Sequence, residues 1–511
     1  MDIPKILKKS IILNLLVFCF FSCTLLNTDE KLKCNNLFLV FMAGDNSLNK
    51  TVYTDLEELK IGLQTENDII LVLADRYSSN FYEDEWNEAR LLEITYENGK
   101  LNVKELEDEN IGVYLEWLDD SIDSGSEKTL RAFLQYAQSH YNSERVYLDL
   151  WNHGGGWKSG ELYSKEKKSS ARNICLDEET KNSLSLRQLS SAIKDSKIKH
   201  FEIILMDACS MASVEVAAEL VGLTDTVIFS QDTIPEEGMP YNVIVQILFS
   251  ELSTDEKCFQ ICDAYSKNYE KQKTTISSLK IDEDNGISNF LLFFDRYISR
   301  LSNLEEIRES RPYYYEFLYE VVDLSIFINE ALQQEYNKIL ITNISDYSTG
   351  MSIYFPEYFD YSKDSWEYTS ERLRFLEVCP SYLDFLLRIE KSNSSSTVID
   401  SYEPNNSQID SFILYETFDK IISYIWCITD EDWYVLKKTD GITKIKLTSP
   451  DFVEFNLQIL LYKDGRLLDS IFVNKHNEVD ISFYDNDEIY IKVYSTFGFY
   501  SQEEPYTIIC S

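Results

Sequence analysis

Basic residues are scarce in this chain of 511 residues: 48 Lys and Arg stand against 87 Asp and Glu, a formal net charge of −39. A nucleic-acid backbone attracts the opposite balance, so nucleic acid is excluded as a partner, while a cationic ligand is drawn in from a distance. Proline (9) and glycine (16) are few, which excludes collagen-like and low-complexity fibre. Histidine is rarer still, at 140, 153, 200 and 476, and none stands in a zinc-binding spacing. The ten cysteines have no framework spacing. Cys258 and Cys262, four apart in a helical pattern, lie too far apart for an unstrained bridge and read as buried small hydrophobes in preference to half of a metal site. Beyond the N-terminus no apolar run is long enough to span a membrane. What is present in quantity is core material, 44% hydrophobic and 14% aromatic residues, and the length allows roughly two to four domains.

The N-terminus reads as a targeting segment. Lys5, Lys8 and Lys9 precede an apolar stretch from Ile11 to Phe21, short for a bilayer. It closes on Phe20-Phe21-Ser22-Cys23, which resembles a bacterial lipobox with Phe20 in place of the usual leucine. That resemblance implies cleavage before Cys23, a lipid on Cys23, and a protein held at the cell envelope outside the cytoplasm. The alternative is an ordinary secreted protein with a chance cysteine.

Apolar runs at 37–43, 68–75, 145–152, 202–207 and 226–230 alternate with helical spacing at 127–141, 186–194 and 211–220. This alternation predicts an α/β fold with a parallel sheet covered by helices on both faces. In such sheets the active crevice lies beyond the carboxyl ends of the strands. Residues 255–390 read as mostly helical, with one strand-like piece at 350–356. The expected organisation is a signal segment 1–22, a tether 23–35, an α/β domain 36–390 with a helical C-terminal part, a polar linker 391–399, and an antiparallel β-sandwich over 400–511, where short alternating runs are separated by Asp, Asn and Gly turns.

Two strand ends carry the chemistry. One reads Trp151-Asn152-His153-Gly154-Gly155-Gly156-Trp157, the other Met206-Asp207-Ala208-Cys209-Ser210-Met211-Ala212. Cysteine catalysis needs a thiolate nucleophile and an imidazole to manage its proton. Cys209 is expected at the N-terminus of a helix over 210–220, where partial positive charge favours thiolate. The glycines after His153 leave backbone N–H groups open to stabilise an oxyanion. Asp207 and Cys209, two apart in an extended strand, point the same way. A carboxylate beside a thiolate is awkward unless a substrate cation neutralises it. The bland readings are a tight turn, an inert buried cysteine, a structural histidine and a helix-capping Asp207.

The stretch from 150 to 245 resembles the clostripain family of cysteine peptidases, which have a caspase-like fold. To the two strand ends it adds Cys175-Leu176-Asp177-Glu178 and Ser230-Gln231-Asp232-Thr233-Ile234-Pro235-Glu236-Glu237-Gly238-Met239-Pro240-Tyr241. Met42-Ala43-Gly44-Asp45-Asn46-Ser47-Leu48, Val322-Asp323-Leu324 and Gly350–Pro356 extend it over roughly 36–390. The resemblance implies His153 as general base and Cys209 as nucleophile. Asp207 would select Arg or Lys before the scissile bond, with Asn46 and Gln231 as further substrate-binding candidates, and the amides of Gly154 and Cys209 would form the oxyanion hole. Met239 stands where the family often has tryptophan. The last 100 or so residues resemble a bacterial pre-peptidase C-terminal domain, through Tyr402-Glu403-Pro404-Asn405-Asn406 and Asp430-Glu431-Asp432-Trp433-Tyr434. No cofactor is required for the chemistry. Calcium is the one candidate, with Glu403, Asn405, Asp430 and Asp432 as oxygen ligands or simply a solvated acidic edge.

The segment 158–172 (KSGELYSKEKKSSAR) is polar, carries a net charge of +3 and lacks apolar periodicity, so it is expected as an exposed loop, open to nicking. An enzyme cutting after basic residues would cleave itself there, after Lys167 or Lys168. The sequence therefore supports an extracytoplasmic, lipid-anchored endopeptidase acting on proteins or peptides at Arg or Lys. The alternatives are a non-catalytic binding lipoprotein on a peptidase scaffold and a peptidase of non-basic specificity.

Overall fold

The computed structural model describes residues 31–76, 86, 89–106, 122–158, 174–282, 286–317, 320–356, 359 and 368–393, and, between 408 and 510, chiefly the strands. They fall into two compact units. The first runs to Leu291 and takes in Pro312–Tyr354 and Arg372–Arg374; the second holds Leu292–Arg311 and most of the chain after Phe355.

Five parallel strands make the middle of a nine-stranded sheet in the first unit: β1 (Leu32–Gly44), β2 (Asp68–Arg76), β5 (Tyr141–Trp151), β6 (Phe201–Asp207) and β7 (Thr224–Phe229). The antiparallel strands β3 (Arg90–Glu97) and β4 (Lys100–Leu106) extend one side, and β8 (Ile276–Lys280) and β10 (Leu340–Ile344) the other, in the order β10-β8-β7-β6-β5-β1-β2-β3-β4. Residues 37–43 of β1 are buried without exception, as a strand covered on both faces requires. On one face Phe38, Val40 and Met42 join a cluster with Val52, Leu56 and Leu59 of α1 (Thr51–Gly62). Ile244 and Leu248 of a later helix (Tyr241–Leu248), here α5, belong to the same cluster. On the other face Phe41 meets Phe133 of α2 (Glu127–His140), ring centroids 6.0 Å apart. Each such buried side chain contributes about 1.5–3 kcal/mol. Helix α3 (Leu186–Asp195) opens on a capping box, Ser185 with Gln188.

The predicted parallel strands are all present. The described part of 255–390 is mostly helical, and its expected strand-like piece at 350–356 is β11 (Ser352–Tyr354); what is corrected is the presence of three further strands there, β8, β10 and β9 (Val321–Asp323), the last paired with β11. β8 reads Ile-Ser-Ser-Leu-Lys, too short and too polar to stand out. Its Ser277 hydroxyl is buried because it donates to the Gly350 carbonyl.

In the second unit the late strands form a five-stranded and a four-stranded sheet sharing one core, including Tyr434, Leu457, Ile459, Ile445 and Ile508. The expected sandwich is antiparallel save for one pair, Phe412–Leu414 with Glu431–Leu436, which run parallel. Asp432 is not on a solvated edge: it is buried, and the Tyr506 hydroxyl donates to it. Glu403, Asn405 and Asp430 lie outside the described residues, as do the signal segment, Cys23, Lys167 and Lys168. No two of the seven described cysteines are joined by a disulfide. Cys258 and Cys262 are buried, and burial pushes the Cys258 thiol up to about 12. No described helix is long and apolar enough to cross a membrane.

Candidate active site

β5 and β6 are neighbours in register, Trp151 opposite Asp207, and the Asn152 N–H donates to the Asp207 carbonyl at 3.1 Å. His153 and Cys209 therefore leave the sheet at the same edge. With Ser47, Asp207, Ile234 and Gly238 they line a crevice of about 330 Å³.

Gly154 lies against the backbone of Cys209: a side-chain carbon there would fall 2.2 Å from the Cys209 carbonyl oxygen and 2.9 Å from its nitrogen. Backbone atoms cannot give way, so Gly154→Ala is expected to push the two strand ends apart. Any catalysis that uses His153 and Cys209 together should fall at least about a hundredfold, as a misplacement near 1 Å can cost, while circular dichroism remains native. Gly238 is equally constrained. Its φ is 64°, and a side-chain carbon would lie 2.6 Å from Asp207 Oδ2.

Cys209 is half-buried, and its Sγ accepts the Ile234 N–H at 3.3 Å. The expected helix N-terminus is not there. The chain bends after Cys209, with Ser210 at φ 58°, and helix begins only at Val214, capped by the Ser213 hydroxyl. The thiol lacks a dipole to lower its pKa. Burial pushes it up, the Ile234 N–H opposes this, and the nearby Asp207 and Asp232 add to the rise. His153 Nε2 is 2.8 Å from the hydroxyl of Ser47. Ser47 has no motif of its own that marks it as a site residue; its one signal is its place just after the end of β1, at the same edge of the sheet as His153 and Cys209.

Asp207 is buried; its Oδ2 accepts the Met239 N–H at 2.9 Å and the Tyr241 O–H at 2.9 Å. Burial, helped by the charge of Glu58, raises its pKa to about 6 against those two hydrogen bonds. Met239 contributes its backbone, so the side-chain departure at this position leaves that bond intact. Asn46 and Gln231 are not among the residues lining the crevice. Asn46 Nδ2 donates to the carbonyls of Ala43 and Leu176. Gln231 donates to Asp323 and accepts the Gly350 N–H. Both amides tie loops together. Lys158, expected in an exposed loop, is buried, with Nζ 3.7 Å from Glu320.

Among the described residues the carboxylates of Asp45, Asp75 and Asp177 are placed to share a cation: one oxygen from each lies within 4.8 Å of the others, all buried. Such donors suit a hard ion such as calcium or magnesium.

The sequence model of the clostripain family matches residues 40–501. Clostripain of Hathewaya histolytica is 24% identical over 355 residues, 64% of this chain. The chain spans 62% of the length of that curated relative. Among solved structures, an inactive zymogen C11 protease from Parabacteroides distasonis superposes with a TM-score of 0.53 at 20% identity, covering 68% of this chain and 98% of its own. A secreted C11 cysteine protease from Bacteroides thetaiotaomicron, in complex with an irreversible peptide inhibitor, gives 0.50 at 20% identity over 68% and 99%.

Proposed function

This chain belongs to the clostripain family, and from that premise we propose that it is a cysteine endopeptidase cutting after Arg or Lys. The observation that supports this best is the meeting of His153, Cys209 and Asp207 in one crevice at adjacent strand ends. Since Cys209 rests as a thiol, His153 takes its proton as Sγ attacks the scissile carbonyl. The amides of Gly154 and Cys209 receive the oxyanion. The tetrahedral adduct collapses, His153 passes the proton to the departing amine, and a thioester remains. Water, deprotonated by His153, then releases the acid and restores the thiol. Asp207 receives the substrate cation. A thiol-reactive peptidyl probe ending in Lys or Arg should label the native protein at Cys209. Absence of labelling in folded protein would return the chain to the non-catalytic scaffold reading.

The enzyme works outside the cytoplasm, anchored through Cys23, a reading that rests on the N-terminal segment. No cofactor takes part in the Cys–His chemistry; for calcium the candidate donors are Glu403, Asn405, Asp430 and Asp432, with Asp45, Asp75 and Asp177 as a second candidate set. Activation is by self-cleavage after Lys167 or Lys168. Expressed side by side, wild type should yield a new N-terminus there and Cys209→Ala none; equal processing of both would assign the cut to another protease.

A further inference from the structure

Beneath Asp207 two buried carboxylates share one hydroxyl. Tyr241 Oη lies 2.6 Å from Asp149 Oδ2 and 2.9 Å from Asp207 Oδ2. The hydroxyl has a single proton and can donate once. Were both acids ionised, one of these contacts would set acceptor against acceptor inside the protein. A second proton must therefore lie between them. Both carboxyls have backbone donors, the Leu150 and Asp207 amides toward Asp149 and the Met239 N–H to Asp207, but Asp149 is wholly buried whereas Asp207 lines the crevice.

We propose that Asp149 is a neutral carboxylic acid that donates to Tyr241, so that Tyr241 donates to Asp207 and the charge shared by this pair rests on Asp207. Asp149 and Tyr241 are then specificity-positioning residues, an inference resting on the reading of Asp207 as the substrate's anionic partner. Burial, and next the Asp207 charge, hold the Asp149 carboxyl well above its ordinary range. The other groups around Asp207 agree. Asp55, which accepts the Trp151 indole N–H at 2.6 Å, is pushed up to about 9 by burial and is neutral at pH 7. Glu58, also on α1, raises Asp207. Tyr265, on the helix Thr254–Asn268, and Tyr269 just after it feel the Asp207 charge, as does Cys209 from the turn after β6. A substrate cation thus meets a single focused charge in place of three diffuse ones.

Asp149→Asn keeps the shape, the neutrality and a donor toward Tyr241. Infrared difference spectra at neutral pH, wild type minus this variant, should show a protonated carboxyl stretch that the variant lacks; its absence overturns the proposal whether or not the enzyme prefers basic substrates. The variant should also keep its selectivity for Lys over neutral substrates to within about threefold; loss of that selectivity would put the charge on Asp149. Tyr241→Phe removes the donor to Asp207, whose pKa then rises. The acid limb of kcat/KM on Lys substrates should move to higher pH by at least about half a unit, with a KM increase of about tenfold. An unmoved limb in a folded Tyr241→Phe protein counts against the relay. A wild type without basic preference would instead sink the specificity reading alone, since the infrared result stands apart from it.

Discussion

Cys209→Ala is expected to abolish peptide hydrolysis, lowering kcat by at least about 10⁴-fold, since what survives loss of a nucleophile comes from oxyanion and binding contacts. The side chain is half-buried, and its hydrogen bonds are the weak ones from the Ile234 N–H and to the Ile234 carbonyl. Stability should therefore change by no more than about 1 kcal/mol. Melting temperature and circular dichroism separate inactivity from unfolding, and turnover within about tenfold of wild type would end the peptidase assignment. His153→Ala should have a similar effect. Because burial keeps the thiol protonated, an enzyme lacking its base has no ready thiolate to attack with.

The second large effect is expected at Asp207. Asp207→Asn preserves the bonds from Met239 and Tyr241 in outline but removes the charge. Leaving a buried ionic partner unpaired costs about 3–5 kcal/mol, so kcat/KM on Lys and Arg substrates should fall by about 10²–10⁴-fold while neutral peptides change little. Equal losses on both would make Asp207 a structural element of the site. The pH profile supplies an independent check. Asp207 binds a cation only when ionised, and its pKa is raised to about 6. Wild-type kcat/KM on basic substrates should therefore decline as pH falls through about 6, and Asp207→Asn should lack that limb.

Much of the site was legible because strand ends leave strong sequence marks. The run ending at Trp151 and the run ending at Asp207 are apolar and short, and polar chemistry begins where each stops. The helix after Cys209 was misplaced for a local reason. Met211 and Ala212 are good helix formers, yet Ser210 adopts a left-handed backbone and the Ala212 N–H bonds to the Ser230 carbonyl, which delays the first turn to Val214. Asn46 and Gln231 belong to recognisable motifs, but their amides are consumed by carbonyls and loops brought near from 130 and 119 residues away, distances over which no pattern in one sequence speaks. The antiparallel margins were hidden differently. β4 is exposed at all but its last residue and offers only Leu101, Val103 and Leu106 among charged and polar neighbours, and β8 buries serines.

β5 and β6 lie side by side, though some fifty residues of chain, including 159–173, separate Trp151 from Phe201. A single break in that stretch would leave β1 to β5 on one piece and β6 to β8 on the other, joined by a ladder that no longer has a covalent return path. An unbroken chain that melts can refold by itself, at a rate indifferent to dilution. A broken one must find its other half by collision, so its recovery depends on concentration. Cutting the chain there would therefore turn a reversible fold into one that persists only as long as it never opens.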